Sequence, residues 1–213
     1  MTPEAASAEA EKICRLAPVV PVLVVHDASI ARALAEALVA GGLPALEVTL
    51  RTPAALDVIR EMAKVEGGVV GAGSILTPAA VTAVVAAGAK FGVSPGATDT
   101  VLSAAEQADL PMLPGAATAS EVMALLERGY RVQKFFPASI NGGAPAIKAI
   151  GAPIPDVMFC PTGGVTPENA PEYLSMKNII CVGGSWVAPQ NLIDAKDWKA
   201  IEELAREAAS LRG

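Results

Sequence analysis

At 213 residues the chain has room for one large core and falls within the range of a single α/β barrel, so one domain spanning residues 1–213 is expected. A hydrophobic fraction of 52% and a mean hydropathy of +0.44 suit parallel strands buried on both faces. The net charge of -6 and the absence of a basic stripe exclude a nucleic-acid partner, so any anionic ligand must be gripped locally.

Met1 is followed by Glu4, Glu9 and Glu11 where a signal or transit peptide would carry a basic patch and an apolar core, which makes the cytoplasm the expected location. A short helix is predicted around residues 4–16. Apolar, β-rich runs then occupy residues 19–25, 45–50, 69–74, 91–94, 112–115, 132–137, 157–161 and 179–182. Their starts lie roughly 20 to 26 residues apart, close to the length of one short βα unit. The uncharged stretch 67–89 is long enough to raise a membrane span, but five glycines, Pro78, Ser74, Thr77 and Thr82 interrupt it. It reads as strand, turn and helix, and no membrane partner is expected.

Thr52-Pro53, Thr77-Pro78 and Thr166-Pro167 each place a capping hydroxyl before a proline at the first helical position. Thr118 and Glu121 have the spacing of a capping box that opens a helix through Leu126. Trp198, Ile201, Leu204, Ala205, Ala208 and Leu211 form one apolar stripe on a closing helix. Eight strands alternating with eight helices, after a short N-terminal helix, point to a (β/α)8 TIM barrel. The competing arrangement is an open doubly wound sheet, weakened because Val25, His26 and Asp27 follow the first run in place of a GxGxxG turn.

Barrel enzymes carry their chemistry at the C-terminal strand ends, which directs attention to the polar residues there. Lys134 interrupts the apolar run 132–137, where burial would favour a neutral, nucleophilic amine; a lysine snorkelling from an exposed strand end explains it equally well. The period of two puts Glu47, Thr49 and Arg51 on one face, opposite Leu46, Val48 and Leu50. A carboxylate there can shuttle protons while Arg51 clamps a substrate carboxylate, and a structural Glu47–Arg51 ion pair is the competing reading. The runs ending in Gly163-Gly164 and Gly183-Gly184-Ser185 offer backbone N–H groups to a phosphate, unless the glycines only permit tight turns. Pro95, in the turn ending the fourth strand, is placed at the pocket floor. Cys14, Cys160 and Cys181 read as reduced thiols, with no disulfide framework or metal site, and the single histidine, His26, as a capping or surface group.

Together, Leu46-Glu47-Val48-Thr49-Leu50-Arg51, Gly71-Ala72-Gly73-Ser74, Val93-Ser94-Pro95-Gly96, Lys134-Phe135-Phe136-Pro137-Ala138, Phe159-Cys160-Pro161-Thr162-Gly163-Gly164 and Gly183-Gly184-Ser185-Trp186 closely resemble the 2-keto-3-deoxy-6-phosphogluconate (KDPG) aldolase family over nearly the whole chain. The resemblance implies a class I aldolase of the Entner-Doudoroff pathway, releasing pyruvate and glyceraldehyde 3-phosphate. It makes Lys134 the Schiff-base lysine and Glu47 the general acid/base. Arg51 and Ser74 become pyruvate contacts, Thr162 a contact to substrate hydroxyls, and Gly163, Gly164, Gly184 and Ser185 the phosphate site. Pro95 and Phe136 complete the substrate-binding set. Ser74 departs from the family's usual threonine but keeps the hydroxyl. The resemblance further implies a homotrimer with no metal or organic cofactor. Open alternatives are activity on 4-hydroxy-2-oxoglutarate or on the galactonate-configured substrate, a noncovalent phosphosugar isomerase, and a noncatalytic phosphometabolite-binding protein.

Overall fold

The structure, a computed structural model, describes residues 1–211. It opens with helix α1 (Pro3–Cys14), started by Thr2, whose hydroxyl accepts from the Ala5 amide, and by proline at the first helical position. Strands and helices then alternate: β1 (Val19–Leu23), α2 (Ala31–Ala40), β2 (Ala45–Thr49), α3 (Ala55–Met62), β3 (Val69–Gly73), α4 (Pro78–Ala86), β4 (Gly92–Val93) and α5 (Asp99–Gln107). Next come β5 (Met112–Leu113), β6 (Gly115–Ala116), α6 (Ala119–Arg128), β7 (Val132–Phe135), α7 (Gly143–Gly151), β8 (Met158–Pro161) and α8 (Ala170–Leu174). The chain continues through β9 (Val182–Gly184), α9 (Gln190–Ala195) and α10 (Trp198–Ala209). Among the described residues no helix is long and apolar enough to cross a membrane.

All strand pairings are parallel, but they form two curled sheets, ordered β5-β4-β3-β2-β1-β9 and β6-β7-β8, where one ring was expected. The predicted fifth strand is split at Pro114, which has no N–H to offer a ladder. The Pro114 carbonyl still accepts from the Lys134 amide at 2.8 Å. The eighth run, expected over residues 179–182, pairs regularly only from Val182, with isolated bridges Phe159–Ile179 and Thr162–Gly183 linking it to β8.

Two of the four predicted caps form. Thr77 receives the Ala80 amide, and Thr118 and Glu121 make both bonds of the capping box, on a helix that runs on to Arg128 before Gly129 ends it at φ 108. Thr52 does not cap; its hydroxyl donates to the Val25 carbonyl at 2.6 Å and α3 begins three residues later. Thr166 also lies ahead of its helix, its amide bonded to Asn169 Oδ1, so the Thr-Pro pair opens a turn.

The larger core lies between strands and helices and takes Leu46 and Val48 from β2 and Phe135 from β7. A second cluster fills the interior of the curl with Val20, Ala45, Phe91, Val93, Leu113, Val132, Cys160 and Cys181. Cys14 of α1 packs into it, and Ser7 accepts the amides of Arg131 and Val132 at 2.9 and 3.1 Å, so α1 is fastened across the N-terminal ends of the strands. The three cysteines are free, as read from the sequence, and all three are buried.

Candidate active site

Strand parity decides which side chains reach the interior. On β2, Ala45 joins the inner cluster while Leu46 and Val48 join the outer core, so Glu47 and Thr49 point inward. On β7, Gln133 turns outward to the carbonyls of Val122 and Tyr130, and Val132 and Lys134 turn inward. Glu47 and Lys134 therefore meet above the apolar cluster, with Lys134 Nζ donating to Glu47 Oε1 at 3.3 Å. Only 5% of Lys134 and 3% of Glu47 is exposed, so neither end of the pair snorkels to solvent. Nζ also lies 5.0 Å from the Phe136 ring centre, within cation–π range.

Around this pair lies a cleft of about 290 Å³ that brings together Glu47, Arg51, Ser74, Pro95, Lys134, Phe136 and Thr162 with Val22 and Thr49. Arg51 sits two residues beyond β2, exposed, and its guanidinium forms no ion pair or hydrogen bond among the described residues. The Glu47–Arg51 pair weighed above is not formed; the lysine takes the carboxylate. Thr49 donates to the Leu23 carbonyl at 2.9 Å. Ser74 holds a left-handed φ of 60, which turns the chain sharply as it leaves β3.

A second cavity of about 170 Å³ shares Val22, Arg51, Phe136 and Thr162 with the first and adds Gly163, Gly164, Val165, Gly183 and Ser185. Gly163 and Gly164 have successive positive φ values, 95 and 75, which glycine alone adopts without strain. Their carbonyls are tied back, Gly163 to the Ser139 amide and Gly164 to Asn169 Nδ2, each at 3.0 Å. The amides of Gly163, Gly164 and Ser185 donate to no protein acceptor among the described residues, which is the arrangement of an anion-binding nest. Gly184 lies on β9 but does not line the cleft; a Cβ there would fall 1.9 Å from the Trp186 ring, so that ring occupies its side-chain space. Gly183, part of the glycine run expected to face a phosphate but not among the phosphate residues that the resemblance implies, lines the cleft instead, packed against the Thr162 hydroxyl.

Beneath Lys134, Cys160 lies within 3.8 Å of the Thr162 hydroxyl. The hydrogen bond to Cys14, then that to Cys160 and burial, hold the Cys181 thiol well above the ordinary range. Among the described residues no group of three or more His, Cys, Asp or Glu side chains is arranged to hold a metal ion. His26 is exposed and outside the cleft.

A buried amine beside a carboxylate, an unpaired guanidinium and a nest of free amides suit a keto acid that carries a distal anion. The family model for KDPG and KHG aldolase matches residues 10–204. A 2-dehydro-3-deoxy-phosphogluconate aldolase of Pseudoalteromonas atlantica is 50% identical over 194 residues, covering 91% of this chain and 90% of that one. The KDPG aldolase structure of Zymomonas mobilis with 3-phosphoglycerate superposes with a TM-score of 0.93 at 47% identity, covering 97% of each chain. That of Legionella pneumophila, with pyruvate captured as a covalent carbinolamine, does so with a TM-score of 0.90 at 44% identity, over 93% of this chain and 97% of that one. By sequence and by structure, this chain belongs to the KDPG and KHG aldolase family.

Proposed function

We propose that the chain is a class I aldolase that cleaves 2-keto-3-deoxy-6-phosphogluconate to pyruvate and D-glyceraldehyde 3-phosphate through a Schiff base on Lys134. The observation that carries this reading is the buried contact of 3.3 Å between Lys134 Nζ and Glu47 Oε1 at the bottom of the cleft. Proton transfer across it leaves a neutral amine and a protonated carboxyl, and the amine attacks the C2 ketone. Glu47 relays protons through the carbinolamine until water leaves and an iminium remains. Loss of the C4 hydroxyl proton then breaks the C3–C4 bond, the electron pair passes to the iminium, and the aldehyde departs. Protonation of the enamine at C3 and hydrolysis release pyruvate and restore Lys134.

Arg51 and Ser74 hold the carboxylate end, Thr162 the substrate hydroxyls, Pro95 the floor and Phe136 a wall. Gly163, Gly164 and Ser185 hold the phosphate, with Gly184 beside them. The scaffold in this reading is a single-domain, closed (β/α)8 barrel. Its support is that β5 and β6 are separated by Pro114 alone and that two bridges join β8 to β9. A cytoplasmic homotrimer without metal or organic cofactor belongs to the same reading.

Incubation with pyruvate and sodium borohydride, followed by peptide mass spectrometry, tests it. The expected adduct is confined to Lys134 and missing from Lys134→Ala, while Glu47→Gln still forms it but turns over about 100-fold or more slowly. A folded wild-type protein that gives no adduct, or activity that survives Lys134→Ala, sinks the covalent mechanism in favour of noncovalent isomerase chemistry. Specificity constants on the gluconate- and galactonate-configured substrates and on 4-hydroxy-2-oxoglutarate then rank the acceptors.

A further inference from the structure

A carboxylate buried beside a lysine must be held from below as well as from the side. Parallel pairing of β2 with β3 sets Glu47 opposite Gly71 and Thr49 opposite Gly73. The Glu47 side chain leans along the sheet so that its carboxyl group lies over Gly73. A Cβ built on Gly73 would fall 2.1 Å from Glu47 Oε1 and 2.8 Å from both its Cγ and Cδ, well inside the ~3.5 Å of ordinary carbon contact. Gly73 is not in the left-handed region, so its backbone accepts alanine, and the three atoms nearest to a methyl group there all belong to Glu47. Gly71, two residues earlier, is covered by the Phe91 ring, whose atoms lie about 2.4 to 2.5 Å from a Cβ built there, so β3 presents two bare steps, one under an apolar ring and one under the carboxylate.

We infer that Gly73 is a positioning residue: the missing side chain is the seat that lets the Glu47 carboxylate lie within reach of Lys134. This rests on the reading in which Glu47 moves protons at Lys134. A methyl group at position 73 would lift the carboxylate off β3 and out of its 3.3 Å contact with Nζ. Displacement of a proton-transfer group by about 1 Å is worth on the order of 100-fold in rate. The cost should fall on kcat, because the carboxylate and phosphate ends of the cleft are untouched.

The test is a double-mutant cycle of Gly73→Ala and Glu47→Ala, read by melting temperature, kcat and KM for the phosphorylated substrate, and the rate of borohydride-trapped adduct formation with pyruvate. Gly73→Ala is expected to lower the melting temperature, to cut kcat about 100-fold and to leave KM within about threefold. In the Glu47→Ala background, where the carboxylate is gone, the same change should move neither the melting temperature nor the trapping rate. Additive effects of the two substitutions, or a wild-type kcat in Gly73→Ala, overturn the inference. Should Gly73→Ala not fold while Glu47→Ala does, recovery of the fold in the double variant supports it and failure of the double variant to fold overturns it. The stability arm reads the Gly73–Glu47 contact even if wild type forms no adduct, so failure of the covalent mechanism and failure of this inference are told apart.

Discussion

Ser74 is the one non-glycine residue of the cleft with a left-handed backbone, at φ 60. That conformation costs an L-residue about 1 kcal/mol, a strain in keeping with the carboxylate contact proposed for its side chain. Ser74→Gly should raise stability by about that amount in a thermal melt while raising KM for pyruvate, because the hydroxyl is lost. Ser74→Thr should do the reverse, keeping KM near wild type and lowering the melting temperature, since a β-branched side chain tolerates the left-handed region least. At this scale the polar residues were legible in part: alternation along residues 45–51 set Glu47 on one face with Thr49 and Arg51, whereas Lys134 stood out only as a charge within the apolar run 132–137, which left a snorkelling lysine equally open. The Lys134–Glu47 contact was not, because partners 87 positions apart carry no mutual signal and Arg51 was an equally good neighbour on spacing. Gly73 escaped for another reason: what it contributes is an absence, and a glycine in a strand does not announce what lies over it.

Element ends show which local signals survive tertiary structure. The Thr118 capping box joins groups three residues apart, so nothing distant competes for them, and Thr118→Ala should cost about 1 kcal/mol. Its partner Glu121 has its pKa lowered, first by the Ala117 amide and then by the Thr118 hydroxyl and amide, against opposition from burial. A depressed carboxylate contributes stability above its unfolded value of 4.5 and loses it as pH falls through the lower folded value. Denaturant melts should therefore find Glu121→Gln costly at pH 7 and nearly silent near pH 2, and an equal cost at both would refute the ionic part of the cap. Thr52 carries the same Thr-Pro signal and fails, since the Val25 carbonyl at the end of β1 takes its hydroxyl. Likewise the apolar run 112–115 reads as one strand, but Pro114 has no amide and breaks the ladder in two.

For the whole molecule, the rhythm of βα units was written in the spacing of apolar runs, and each run does lie in or beside a parallel strand. What the spacing did not carry is how the ends of the curl meet, because that depends on an imperfect junction at Pro114 and on bridges to residues 179 and 183. The fastening of α1 across the bottom through Ser7 was equally silent, a serine on a helix being ordinary. The Lys134–Glu47 pair has a consequence for the molecule as a whole. Desolvating two opposite charges commonly costs more than their attraction returns, whereas removing one partner strands the other at about 3 to 5 kcal/mol. Lys134→Met alone should thus melt well below wild type, and Lys134→Met with Glu47→Leu should melt at or above it, which calorimetry on the inactive proteins would decide. If so, this chain lives below the thermal ceiling of its own scaffold, and the shortfall is the mark left on the fold by selection for turnover.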